Sequence, residues 1–291
     1  MKRWQRDYGL ATRMFLTMFL LFAVYIAFIA VLSYLRIPLG MIVIFAGVML
    51  FLQYYYSDKM VLYSTGARIV TESEEPGLHE IVSRLCIEAD LPKPRVAVVD
   101  SSIPNAFATG RSPKKAVVAV TTALMQRLDR NEISAVLAHE LTHVKNRDVM
   151  VLTIASFFST IAFFLVRYLI LFGGGRREGG QIMLAWIASI AVWIISYILI
   201  RALSRYREFA ADRGAAIITG HPSHLVSALM KISGSMDRVP TEDLRKAEGM
   251  NAFYIIPAIS KSSIMALFST HPPLEKRVAA LEKISREMEL A

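Results

Sequence analysis

Four stretches without a charged side chain limit what this chain can become. Residues 14–35, 37–57, 149–166 and 179–200 contain no Asp, Glu, Lys or Arg, and the third apolar stretch continues past Arg167 to residue 172. Each uncharged run is 18–22 residues long, enough for a helix to cross a hydrocarbon layer about 30 Å thick. Lipid offers no partner to exposed backbone groups, so such runs are read as helices that satisfy their own hydrogen bonds. The expectation is four transmembrane helices in two hairpins, at residues 14–35, 37–57, 149–172 and 179–200. Arg167 lies close enough to Gly173-Gly174-Gly175 to reach the interface.

Lys2, Arg3, Arg6 and Arg13 precede the first run. That run is too long for the core of a signal peptide and no small-residue cleavage site follows it, so it reads as a retained anchor. The positive-inside rule then puts the N-terminus in the cytoplasm and the connections at 36–38 and 173–180 outside; Arg176 and Arg177 in the latter weaken this bias without reversing it. The organisation expected is residues 1–57 as two spans, 58–148 as the first part of a polar domain, 149–200 as a transmembrane hairpin and 201–291 as the second part. An even number of spans between the polar parts puts both on one side of the membrane. The formal charge of +9 is matched by anionic lipid headgroups, so the bilayer is the partner it implies and nucleic acid is not. Cys86 is the only cysteine, which excludes an intrachain disulfide and is compatible with a reducing compartment.

The first polar part mixes helix and strand. Residues 73–89 carry a stripe of Leu78, Ile81, Val82 and Leu85 behind Pro76, a helical pattern. Residues 95–100, 105–109 and 116–120 are short, apolar or β-branched and separated by turn residues, and read as strands. Asp129 with Glu132 three residues on forms a capping box that starts a helix over 132–146. On that helix stands His139-Glu140-Leu141-Thr142-His143. His139 and His143 lie one turn apart on one face and can share a metal ion, while Glu140 is offset and reaches a water on the metal instead of the metal itself. Zinc lowers the pKa of such a water from about 15.7 toward about 7, and a neighbouring carboxylate can take its proton.

A third ligand is needed. Arg207-Glu208-Phe209-Ala210-Ala211-Asp212 follows the fourth run closely. If its helix continues that run, Glu208 reaches the histidines, and Asp212, one turn on, accepts the other N–H of a ligand imidazole. Glu74, Glu75 and Glu80 belong to another helix, Glu132 stands two turns before His139, and Asp148 is displaced from the ligand face, so none of these is preferred. Whether the histidine helix runs on into the third span is open at this point. His79, His221 and His224 read as ordinary polar residues, and residues 236–261 show no clear period.

Three motifs in order, His-Glu-Leu-Thr-His at 139–143, Arg-Glu-Phe-Ala-Ala-Asp at 207–212 and Ser-Thr-His-Pro-Pro-Leu-Glu-Lys-Arg at 269–277, resemble the HtpX family of membrane zinc endopeptidases. Those are gluzincins related to the CAAX prenyl proteases. The resemblance implies that Asn105, Ala106 and Phe107 form an edge that binds substrate backbone. It also implies that His271 and Arg277 stabilise the oxyanion or hold substrate carbonyls. It further implies a multi-pass protein of the inner (plasma) membrane whose active site faces the cytoplasm and cleaves misfolded membrane proteins.

The combined expectation is an α+β chain: four transmembrane helices with a cytoplasmic gluzincin-like domain. One zinc ion is held by His139, His143 and Glu208, with Glu140 as general base and polypeptides as substrates. The alternatives are a CAAX-type processing protease and a non-catalytic scaffold with a structural zinc. The scaffold would close its site with four protein ligands and has no use for Glu140. A transporter would place ionisable groups mid-span, and apart from Arg167 these runs have none.

Overall fold

The structure is a computed structural model and describes residues 7–35, 40–172, 179–236 and 271–290. The connections expected outside the membrane and nearly all of the segment without a period lie beyond the described residues. The described residues divide into two compact units, residues 7–35 and 40–55 with 150–172 and 179–204, and residues 56–149 with 205–236 and 271–290.

The first unit holds helices α1 (Tyr8–Tyr34) and α2 (Gly40–Tyr55), most of α7 (Asp148–Phe172) and the first half of α8 (Gly179–Thr219). Leu21, Phe28, Leu32, Ala46, Ala155, Ile161, Leu165 and Ala185 form its core, and Tyr25 Oη donates to the Ala155 carbonyl at 2.6 Å. Its outward side chains are also large and apolar, among them Phe15, Phe22, Phe45, Phe51, Trp186 and Ile195. A helix apolar on all sides suits lipid, not water. Among the described residues, two helices are long and apolar enough to cross a membrane, Tyr8–Tyr34 and Gly180–Thr219. A third qualifies only if Asp148–Phe157 and Ser159–Arg167, bent by 41°, are one span. The expected second span is the shorter apolar helix α2, 16 residues long.

The second unit is built on a four-stranded sheet, β1 (Arg68–Ile69), β2 (Arg95–Val99), β3 (Ala106–Thr109) and β4 (Val117–Thr121), in the order β1-β2-β4-β3. Strands β2 and β4 run parallel, while β1 and β3 are antiparallel edges. Alternation along the strands sends Val96, Val118, Val120 and Ala106 to one face, against α4 (Pro76–Ala89), α6 (Arg130–Lys145), α9 (Pro222–Met236) and α10 (Leu274–Glu289). Ala97, Val99, Phe107, Val117 and Ala119 go to the other face, where Val61 and Leu62 of α3 (Ser57–Thr65) cover them. Short helix α5 (Thr122–Arg127) links β4 to α6.

Helix α6 begins as its sequence requires. Asp129 Oδ1 accepts from the N–H groups of Asn131 (2.8 Å) and Glu132 (3.0 Å), and Glu132 Oε2 accepts from Asp129 N–H at 2.9 Å. The other carboxylate oxygen of Glu132 accepts from Ser227 Oγ and faces Lys231 Nζ, each at 2.6 Å, tying α6 to α9. Burial opposes the charge on Glu132, but Lys231, Ser227 and the Asp129 N–H outweigh it and hold the carboxyl below its ordinary value of 4.5. Its stabilisation is therefore full above that value and is lost as pH falls through the folded pKa. Glu132→Ala is expected to destabilise the polar unit by about 1–3 kcal/mol at neutral pH. The loss should be smaller at pH 4, as read from the melting temperatures of both proteins.

The question left open by the sequence has a definite answer: α6 and α7 are separate helices. Asn146 closes α6, Arg147 adopts a left-handed φ of 54°, and α7 starts at Asp148. Helix α8, by contrast, runs unbroken for 41 residues through Glu208 and Asp212. It stops where Gly220 takes a φ of 73° and donates its N–H to the Ala216 carbonyl at 2.9 Å, and Pro222 opens α9.

Candidate metal centre

Two helices bring the predicted ligands together. From α6, His139 Nε2 and His143 Nε2 lie 3.1 Å apart with their rings nearly perpendicular. From α8, Glu208 places Oε2 3.5 Å from His139 Nε2 and Oε1 3.4 Å from His143 Nε2. Ligand atoms about 2.0–2.1 Å from one tetrahedral ion stand roughly 3.3–3.4 Å from each other, so the three donors occupy three corners of such a site. Among the described residues this is the one His/Cys/Asp/Glu group close enough to hold an ion.

The opposite nitrogens of both imidazoles face carboxylates. His139 Nδ1 is 3.0 Å from Asp212 Oδ1, and His143 Nδ1 is 2.6 Å from Asp148 Oδ2. This leaves both Nε2 atoms to face Glu208. Each carboxylate has an arginine. Arg277 donates from Nε (2.9 Å) and Nη2 (2.6 Å) to the two oxygens of Asp212. Arg207 pairs with Asp148 Oδ1 and donates from Nη2 to the Asn146 carbonyl at 2.9 Å. Arg207 and Arg277 are set among four buried carboxyl groups, those of Glu140, Glu208, Asp212 and Asp148. Burial lowers the proton affinity of His139, but Asp212 and Glu208 more than restore it, to about 9. Burial holds His143, by contrast, below its ordinary value.

Glu140 stands off this triangle. It is buried, its Oε2 accepts from the Ala108 N–H of β3 at 3.0 Å, and burial pushes its carboxyl above the usual range. Strand β3 is the sheet edge beside α6. Its backbone alternates: Asn105 accepts from Thr121 N–H at 2.9 Å, whereas Ala108 N–H turns to Glu140. Ala106 and Ala108 therefore present their peptide groups away from β4. The three expected substrate-edge residues thus divide. Asn105 and Phe107 face β4 with their backbones, and the Phe107 side chain is packed in the core under α3.

His271 and Arg277 both reach the centre. His271 is buried with Nδ1 3.0 Å from Glu208 Oε2. Arg277 is 1 % exposed, and its Nη1 is 3.8 Å from Glu208 Oε2. Arg277, expected to stabilise the oxyanion or hold substrate carbonyls, gives Nε and Nη2 to Asp212. Sequence reasoning also set Asp148 aside. It is not among the three metal-facing groups, but it backs His143, a contact invisible while α6 and α7 were read as potentially continuous.

Gly214 was missed as well. A Cβ at Gly214 of α8 would fall 2.4 Å from Thr142 Cγ2, 2.6 Å from its Oγ1 and 3.0 Å from its Cβ. Thr142 lies between the two histidines in sequence, is fully buried, and is pinned by its bond to the Ala138 carbonyl. A glycine inside a long helix is the signal that would have found this close approach. Gly214→Ala should force the two ligand helices apart, costing about 1–3 kcal/mol and weakening metal binding. Adding Thr142→Ala should restore most of both, as followed by melting temperature and chelator competition.

The profile of Peptidase family M48 matches residues 72–285. "Protease HtpX homolog 2" of Methanosarcina acetivorans is 65 % identical over 99 % of both chains. "Protease HtpX homolog" of Moorella thermoacetica is 60 % identical over 97 % of both. Among solved structures, that of S. mikatae Ste24p resembles this fold with a TM-score of 0.58 at 18 % identity, covering 89 % of this chain and 62 % of that one.

Proposed function

The chain belongs to peptidase family M48 and is a membrane metalloprotease, and we propose that its metal is zinc, held by His139, His143 and Glu208. The observation that carries this reading is the triangle of donors 3.1–3.5 Å apart, with a carboxylate behind each imidazole. A nitrogen-and-oxygen donor set without sulfur suits zinc in a catalytic site, where three protein ligands leave a position open. When bound, zinc polarises the scissile carbonyl and acidifies water.

The residues divide the remaining work. Glu140, held by the Ala108 N–H through one oxygen, takes a proton from the attacking water with the other and returns it to the leaving amine. A peptide laid along β3 pairs with the outward peptide groups of Ala106 and Ala108, while Asn105 and Phe107 hold that strand onto β4 and the core. His271, beside Glu208, faces the developing oxyanion. Arg277 acts through Asp212 and fixes the orientation of His139.

Substrates of this reading are loosely folded segments of membrane proteins, and the role is quality control. The architecture is four spans in the inner (plasma) membrane with the catalytic unit in the cytoplasm. The absence of charge in four runs and the basic N-terminus support it. Purified protein should cleave a loosely folded membrane protein, lose this activity to a chelator and regain it with zinc. Chelator-insensitive cleavage would refute the reading. With Cys86 replaced, an impermeant thiol reagent applied from outside should label Ile37→Cys or Arg177→Cys but not Asp90→Cys or Met288→Cys. Outside labelling at position 90 would reverse the orientation.

A further inference from the structure

The two ligand histidines are supported by parallel constructions, and the carboxylate behind His143, Asp148, lies outside the three motifs that carry the family resemblance, although Arg207 opens the second of them. His143 sits two residues from the end of α6, where helix packing holds a side chain least, and it is the most exposed metal-facing group, 19 % against 2 % for His139 and 8 % for Glu208. Its Nδ1 is nevertheless 2.6 Å from Asp148 Oδ2. Asp148 in turn pairs through Oδ1 with Arg207, which is 6 % exposed and also donates to the Asn146 carbonyl at 2.9 Å. Arg207 immediately precedes Glu208 on α8.

We propose that Asp148 and Arg207 are positioning residues for metal binding: Asp148 holds the His143 ring with Nε2 toward the ion, and Arg207 holds Asp148. The proposal rests on the metal-site reading above. A carboxylate on Nδ1–H fixes the tautomer that leaves Nε2 unprotonated and strengthens the imidazole as a ligand. A plainer role exists, since an acidic residue at the first position of α7 favours that helix terminus by itself. Helix capping does not account for the short approach to His143, nor for a buried guanidinium aimed at Asp148. The left-handed Arg147 turns the chain so that Asp148 comes back alongside the histidine. One helix, α8, thereby supplies both the third ligand and, one residue earlier, the clamp on the support of the second.

The test uses the full-length protein in detergent, stripped of metal and titrated with zinc against a chelator of known affinity. Asp148→Ala should weaken zinc binding by about 10–100-fold, and Arg207→Met should weaken it in the same direction. The double variant should bind no more weakly than Asp148→Ala, because Arg207 acts through Asp148. Asp148→Asn, nearly isosteric, should weaken binding less and serves if Asp148→Ala does not fold. With cobalt in place of zinc, the visible spectrum of these variants should change, which loss of a helix cap alone would not produce. Folded Asp148→Ala or Asp148→Asn with wild-type affinity and spectrum would overturn the proposal, as would additive losses in the double variant. A wild-type protein that binds no zinc would sink the metal-site reading itself. Wild-type binding alongside unaffected Asp148 variants would sink only this inference.

Discussion

Glu140→Gln is expected to keep its metal and lose its activity. The side chain sits beside the donor triangle but outside it, with Oε2 on the Ala108 N–H. Glutamine preserves volume and can still accept that hydrogen bond, yet it cannot take a proton. Metal content should stay near one ion per chain while turnover falls by roughly 10²–10⁴-fold, the range for losing a general base. Cleavage at the wild-type rate would end the proposed mechanism, and loss of metal would mean that Glu140 is a ligand.

Glu208→Ala is expected to do the opposite, emptying the site and abolishing activity through that loss. Glu208 reaches both Nε2 atoms, at 3.5 and 3.4 Å, and its removal leaves two imidazoles, which do not make a tight site. Asp212→Ala should weaken binding by only about 10–100-fold, because it removes a contact to the far nitrogen of His139 and not a ligand. Metal analysis after passage through a chelating column separates these outcomes. Tightly held metal in Glu208→Ala, with loss in Asp212→Ala, would exchange the two roles.

What could be read from the chain depended on how local each signal was. The capping box at Asp129 and Glu132, the pairing of His139 with His143 on one helix face, and the strands around Val96, Phe107 and Val118 all rest on spacings of a few residues, and the structure has each of them. Glu208 lies much further along the chain, but it was legible because α8 continues its apolar run without a helix breaker. The support of the site was less visible. That Arg277 would spend two nitrogens on Asp212, or that Arg207 would meet Asp148, depends on helix–helix geometry that no local period encodes. The same holds for Ala108, whose contribution is a backbone N–H and leaves no trace in residue type. The second uncharged run, residues 37–57, holds helix α2, which ends at Tyr55, and a distinct helix, α3, turns Val61 into the core beneath Phe107.

The central claim is that one metal ion is held by two imidazoles and one carboxylate, with a position left open. X-ray absorption at the metal edge of the purified, active protein tests it most directly. The account predicts zinc with two imidazole nitrogens and two oxygens at about 2.0–2.2 Å and no sulfur, and one oxygen fewer from protein in Glu208→Ala if any metal remains. A sulfur neighbour, a third or fourth imidazole, or an unchanged shell in Glu208→Ala would contradict it.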